Sequence, residues 1–534
     1  MTHGDFMKPD GGSLIGFGSS GLGGAEFQAF DPARGVSLEP KFTSATVEDV
    51  GRAAQLAAAA APLWAKLPGM QRHRFMRTIA DNLEAKSADL VARAMLETGL
   101  PEARLKGEVA RTAGQLRLYG EAAERGDWLD ARIETALPDR QPLPKPDHRS
   151  MLRPLGPVVV FGSSNFPFAY SVAGGDTASA FAAGCPVIVK AHPAHPGTSE
   201  LVGRLILHAV RDCGLPEGTF SLLFDAGFEI GQALVNHPLV KAVGFTGSLR
   251  GGRALADLAA ARPEPIPVYA EMGSINPLFI LPGALAERSA ALVEGLYISS
   301  TTGVGQFCTN PGLIVLQHSA AAGQFVQDLA ARLAATLEGV MLTPGIRKTF
   351  VTNTTSRAHQ TGVKVLAQGN ATSMCSAAPV WFETDALEFL SNHALSEEIF
   401  GPSSLVVWCK DRAEMLSVAR ELEGNLTATL HAGAAEAQEQ GELVDLLAEK
   451  AGRVILNGYP TGLEVSQAIV HGGPYPATSD GGRSTSVGTR ALNRWARLVC
   501  YQNFSEDLLP PELRSANPLG LLRLVNGQWT KDGI

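Results

Sequence analysis

The sequence predicts an α/β protein made of two parallel-sheet lobes, the first Rossmann-like, with a small β element attached. Three observations lead there. A chain of 534 residues is too long for one compact core, so two or more domains are expected. Between 156 and 260, short apolar runs alternate with helical patterns, which argues a parallel sheet covered on both faces. A second series of the same kind begins at 276. Such sheets bind ligands at the carboxyl ends of their strands.

Composition narrows the partners. A hydrophobic fraction of 45% with 18% charged residues describes a soluble globular protein. The net charge of -8 argues against nucleic acid as a partner. The six cysteines are scattered, as in a reducing compartment. Residues 1–10 lack the apolar core of a signal peptide, and the most apolar stretches, such as 57–64, are far short of a membrane span. A cytoplasmic protein with no membrane partner is expected.

Taken in order, 1–24 is Gly-rich and contains Gly16-Phe17-Gly18-Ser19-Ser20-Gly21, a formal dinucleotide fingerprint. That fingerprint needs a strand before it and a helix after it. Neither fits here, so a flexible loop is expected. Residues 46–97 read as helical with a break at Pro68-Gly69, and Gly99 stops the run. Residues 101–125 form an amphipathic helix carrying Glu108, Arg111, Gln115 and Arg117, whose plain reading is a solvated face. The Pro-rich, charged 138–147 reads as an extended excursion. Strands follow at 156–161, 186–190, 220–224 and 241–245, with helices at 167–183, 199–213, 230–236 and 247–260. The second series has strands at 276–281, 312–317, 403–410 and 453–457, with helices at 284–296 and 321–337. A helix and then a strand fill 491–504.

One stretch carries the chemistry. Gly305-Gln306-Phe307-Cys308-Thr309-Asn310-Pro311-Gly312 sets a single cysteine in a turn before a strand. Local context alone favours an inert thiol. The company it keeps argues otherwise: Ser163-Ser164-Asn165-Phe166-Pro167, Glu271-Met272-Gly273-Ser274-Ile275-Asn276-Pro277 and Glu398-Ile399-Phe400-Gly401-Pro402. Together, in this order, these segments resemble the signature set of the aldehyde dehydrogenase superfamily over nearly the whole chain. The resemblance implies a cofactor lobe over 1–131 and 155–275 and a catalytic lobe over 276–488. It adds an oligomerisation element over 132–154 and 489–510, and leaves a tail over 511–534. A homodimer or homotetramer is expected.

The resemblance also implies roles. Cys308 is the nucleophile, since a thiolate adds to an aldehyde more readily than a hydroxyl. Asn165 stabilises the resulting oxyanion; its plain reading is a turn residue. Glu271 activates the water that releases the acid; its plain reading is a surface carboxylate. For the cofactor, Lys190 matches the ribose-binding lysine, and Phe245, Thr246, Gly247 and Ser248 match the segment near the pyrophosphate. Gly231 belongs to the same region, and Glu398 and Phe400 match the residues that hold the nicotinamide end. The family continues Phe-Thr-Gly-Ser with Thr-Glu, where this chain has Leu249-Arg250.

Strictly NAD-dependent members carry a Glu three residues after the lysine, where this chain has Pro193. Without that carboxylate a 2′-phosphate is not repelled. NADP is therefore expected as the preferred cofactor, with NAD possible and His192 as an assistant. No metal is expected, because His192 and His195 lack a third ligand. The segment 471–479 joins the others in resembling the branch that oxidises α-ketoglutaric semialdehyde (2,5-dioxovalerate). The alternatives are a fatty or broad-specificity NADP-dependent enzyme, a CoA-acylating member, or a silent structural homologue. The expected substrate wall comprises Arg111, Gln115, Phe166, Ala169, Ala173, Phe307, Pro460 and Gly462. Arg111 either clamps a substrate carboxylate or pairs with Glu108 at i−3.

Overall fold

The computed structural model describes residues 8–20 and 23–534. Two large sheets dominate. In the first, Val268–Glu271, Ala242–Thr246, Val158–Phe161, Val187–Lys190 and Phe220–Leu223 lie side by side in that order and parallel. Their registry aligns Phe161 with Lys190 and with Phe245, and Thr246 with Glu271. One edge of carboxyl ends therefore carries several of the expected site residues. In the second sheet the order is Lys364–Gln368, Val380–Asp385, Ser403–Cys409, Leu313–Gln317, Pro277–Ile280, Asn425–His431 and Ala451–Leu456. All of these are parallel except Lys364–Gln368 at the edge.

The central strands, such as Val158–Phe161 and Pro277–Ile280, are short and apolar because helices cover both faces. Trp64, Phe75 and Phe181 interlock edge to face with centroids 5.2–6.0 Å apart and are all buried. Each such side chain contributes about 1.5–3 kcal/mol by leaving water. The long helix Glu102–Arg125 packs beside Gly69–Ala85 and Gly175–Ala183. It presents Arg104, Glu108 and Arg111 towards the loop that follows Val158–Phe161.

Several expectations change. The helix expected over 167–183 begins only at Gly175. The buried Glu108 carboxylate accepts the N–H groups of Phe168 and Ala169 at 2.8 and 3.0 Å, which holds 166–174 in turns instead. The Gly-rich N-terminal motif is not a loose loop. Leu14–Ile15 pairs antiparallel with Phe220–Leu223 and with Gly18–Ser19 around a turn at Gly16, φ +55°. Leu14 and Ile15 are buried, and that burial fixes the hairpin; Gly21 lies outside the described residues.

A third sheet runs Ala496–Gln502, His148–Pro154, Arg132–Glu134, Arg523–Val525 and Gln528–Thr530. The Pro-rich 511–534 thus supplies two strands rather than a trailing segment. Buried Arg523 holds it by donating to the carbonyls of Ser515 and Asp532 at 3.3 and 3.1 Å. No helix among the described residues is long and apolar enough to cross a membrane.

Candidate active site

Cys308 sits just past a single 3-10 turn, Thr302–Gly305, in front of the strand Leu313–Gln317. Asn276 fastens the loop. Its amide Nδ2 lies 2.9 Å from both the Cys308 and Asn310 carbonyls, and its Oδ1 accepts from Ser274 and Thr427. Cys308 itself remains partly exposed.

Glu271 ends the strand Val268–Glu271 and points at the same spot. Its Oε2 accepts the Ser486 hydroxyl at 2.9 Å. Its Oε1 lies 3.0 Å from Nε2 of buried His471. The same Nε2 is 3.5 Å from the Cys308 sulfur. A histidine thus stands between the two expected catalytic groups. The sequence signals it only as the first residue of a segment used to narrow the family, because nothing local distinguishes it from a turn histidine. Burial pushes the Glu271 carboxyl up, but the His471 ring, Ser486 and Cys308 together hold it below the usual range. Burial pushes the Cys308 thiol well up, and the Glu271 carboxylate adds to that. The resting group is a thiol, so it needs a base before it can attack.

Asn165 approaches from the first sheet. Its Nδ2 donates to the Gln306 carbonyl at 3.1 Å, two residues before Cys308, and its second amide proton is left over. Arg104 donates to the Asn165 carbonyl at 2.7 Å and lies over the Phe166 and Phe307 rings, 5.1 and 4.6 Å from their centroids.

The expected wall is partly assembled. Phe166, Ala169 and Phe307 pack together with Tyr170 and Val487. Arg111 joins them by donating to the Tyr170 hydroxyl at 2.9 Å. No ion pair joins it to Glu108, whose Oε1 accepts the Phe168 and Ala169 N–H groups while Oε2 is buried without a hydrogen-bond partner among the described residues. Pro460 and Gly462 enter through their carbonyls, which accept from Arg453 at 2.7 and 3.2 Å. Ala173 belongs instead to the core of the first sheet. Gln115 is fully buried with both amide atoms unpartnered, beside Gly175 rather than in the Phe166 cluster. Tyr170, Arg104 and Arg453 were not legible in advance, since a tyrosine in a turn and single arginines in a helix or an edge strand carry no positional signal.

At the other end of the cleft, Glu398 and Phe400 line a cavity with Ser274 and Phe307. Glu398 Oε2 lies where a Cβ at Gly273 would come within 2.6 Å, so the carboxylate packs against bare backbone there. Burial raises the Glu398 carboxyl to about 8. Lys190 donates to the Asp225 carbonyl at 2.6 Å, and burial lowers its ammonium to about 8. Ser248 caps its own helix, Leu249–Ala260, by accepting from the Gly251 N–H. Gly231 faces the Phe161 ring, which a Cβ would meet at 3.0 Å. Pro193 and His192 are half-buried, and His195 is held by the Ser163 carbonyl and Ser199.

The model of the aldehyde dehydrogenase family matches residues 21–491. The chain belongs to the aldehyde dehydrogenase family. It is 50% identical over 98% of its length to a protein from Azospirillum brasilense, "Alpha-ketoglutaric semialdehyde dehydrogenase 2", all of which is covered. It is 47% identical over 92% of its length to "Alpha-ketoglutaric semialdehyde dehydrogenase" from Acinetobacter baylyi, 93% of which is covered. Among solved structures it resembles the aldehyde dehydrogenase KauB from Pseudomonas aeruginosa, with a TM-score of 0.79 at 22% identity over 93% of this chain and 97% of that one. It also resembles PnpE in complex with nicotinamide adenine dinucleotide, with a TM-score of 0.78 at 22% identity over 92% and 97%. These two likenesses show the fold.

As an aldehyde dehydrogenase the chain is an oxidoreductase that acts on aldehydes with a nicotinamide cofactor. The cleft fits such a cofactor. The Lys190 ammonium offers a cation and the half-buried Glu398 a hydroxyl acceptor.

Proposed function

We propose that this aldehyde dehydrogenase oxidises α-ketoglutaric semialdehyde to 2-oxoglutarate. The observation that carries the reading is Arg111. Among the described residues its guanidinium hydrogen-bonds one side chain, the neutral Tyr170 hydroxyl, and its Nε is buried without any partner. A guanidinium among Phe166 and Tyr170 rings is costly unless a carboxylate joins it. The substrate's carboxylate supplies that partner, which a fatty aldehyde lacks. The names of the 50% and 47% identical relatives support the same substrate.

In this reading His471 takes the Cys308 proton and the sulfur adds to the aldehyde carbon. The alkoxide that forms is met by the free amide proton of Asn165. The nicotinamide, when bound, supplies the hydride acceptor. Glu271 then removes a proton from water, which attacks the thioester and frees the acid and the thiol. Glu271 argues against a CoA-acylating member, which needs no such base. Lys190 and Glu398 hold the cofactor ribose hydroxyls, and Pro193 leaves room for a 2′-phosphate, so NADP is preferred over NAD.

The divisions expected from the family, a cofactor lobe to 275 and a catalytic lobe to 488, are proposed with the third sheet as the oligomerisation element. Its edge strand Ala496–Gln502 exposes Leu498 and Cys500, as an edge awaiting a second copy would. The test is a panel of aldehydes, long-chain and carboxylated, assayed with each cofactor. Preference for alkyl aldehydes over the carboxylated one would exclude the proposed substrate.

A further inference from the structure

The cysteine sulfur, the His471 Nε2 and a Glu271 carboxylate oxygen all lie within 4.8 Å of one another. The sulfur–nitrogen edge is 3.5 Å and the nitrogen–oxygen edge 3.0 Å. A tetrahedral zinc ion with bonds of about 2.3 Å to sulfur and about 2.0–2.1 Å to nitrogen and oxygen has edges of about 3.3–3.6 Å. The sulfur–nitrogen and nitrogen–oxygen edges are thus within about 0.4 Å of those an ion would impose, and the sulfur–oxygen edge, at most 4.8 Å, closes by rotation of the Cys308 and Glu271 side chains.

Two other features point to a ligand. Among the described residues, buried His471 Nδ1 has no hydrogen-bond partner, and buried Glu271 Oε1 has none beyond its poorly aligned 3.0 Å contact with His471 Nε2. A carboxylate lone pair is thus left facing His471. The ring is also free to carry its proton on Nδ1, which leaves Nε2 as a donor to metal. Cys308 is partly exposed, so an ion can enter and water can complete its shell.

We propose that Cys308, His471 and Glu271 form a three-ligand site for zinc, which acts as a reversible inhibitor. On binding, the S–H bond of Cys308 breaks, sulfur bonds to the ion and the proton passes to solvent. No group is oxidised or reduced. The nucleophile is capped, so aldehyde cannot add. A thiolate and an imidazole select zinc over magnesium and calcium. The site stands on these distances and holds whichever aldehyde the enzyme uses.

The test is calorimetric titration of the full-length chain with zinc chloride in two buffers of different protonation enthalpy. A Cys500→Ser background removes the exposed surface thiol. One ion per chain and about one released proton are expected. Binding should vanish in Cys308→Ala, and also in enzyme alkylated at Cys308, which covers the case of a misfolded variant. His471→Gln should weaken zinc at least about tenfold. Zinc should abolish NADP reduction, and EDTA should restore it. No zinc binding to the unmodified enzyme would overturn the proposal. So would unchanged affinity in His471→Gln, which would mean that sulfur alone takes the ion.

Discussion

Ser486 donates its hydroxyl to Glu271 Oε2 at 2.9 Å, and that bond leaves the other carboxylate oxygen for His471. The carboxylate is thereby held ionised in a buried setting, with its working oxygen near the thioester that Cys308 forms. Removing the charge should stop hydrolysis while sparing the earlier steps. Glu271→Gln is expected to give a burst of reduced cofactor close to one per chain, followed by turnover slowed about 10²–10⁴-fold. Rapid-mixing absorbance measures both phases. Normal steady turnover would show that another group activates water.

His471 should matter earlier. The Cys308 thiol is pushed well up by burial and by Glu271, so at neutral pH it is protonated until a base takes the proton. His471→Gln should lower kcat/KM about 10²-fold and make the burst slow. Its rate should then climb with pH through the alkaline range as the thiol ionises unaided. A burst rate independent of pH in this variant would remove His471 from the first step.

Arg111→Met is expected to cost roughly 2–4 kcal/mol in kcat/KM for α-ketoglutaric semialdehyde, with little loss for hexanal. Methionine keeps an unbranched apolar stem and a good helix former, so the helix Glu102–Arg125 should stand. Thermal unfolding checks that. Equal losses for both aldehydes would mean that Arg111 merely supports Tyr170.

Cofactor choice should follow pH and position 193. Lys190 is lowered to about 8 by burial. It is positive below that pH and loses its charge above it. KM for NADP should therefore rise between about pH 7 and about pH 9, and rise more than KM for NAD. Pro193→Glu, which adds a carboxylate near the 2′ position, should raise KM for NADP selectively. If neither change moved the NADP to NAD ratio, the 2′-phosphate would have to be read elsewhere.

What the sequence disclosed depended on how local each signal was. The strands around Val158–Phe161 and Leu313–Gln317 stood out because buried parallel strands are short apolar runs between helices. Asn425–His431 did not, because Asn425, Thr427 and Thr429 interrupt its apolar pattern, yet all are buried and two of them hydrogen-bond around Asn276. The helix expected to start at 167 lost its first two turns to Glu108, a residue 59 positions earlier. In the site, Cys308, Glu271 and Asn165 were legible as motifs. His471, Tyr170 and Arg104 were not, since their roles come from side chains brought in from distant segments.

The most direct test of the whole account follows reduced cofactor and 2-oxoglutarate together, with α-ketoglutaric semialdehyde as substrate. Purified enzyme is compared with Cys308→Ala, whose cofactor binding is checked separately by fluorescence titration. The expected result is equal molar formation of both products by the unmodified enzyme, and neither from Cys308→Ala despite normal cofactor binding. Product formation by Cys308→Ala, or a failure of the unmodified enzyme to oxidise this aldehyde faster than hexanal, would contradict it.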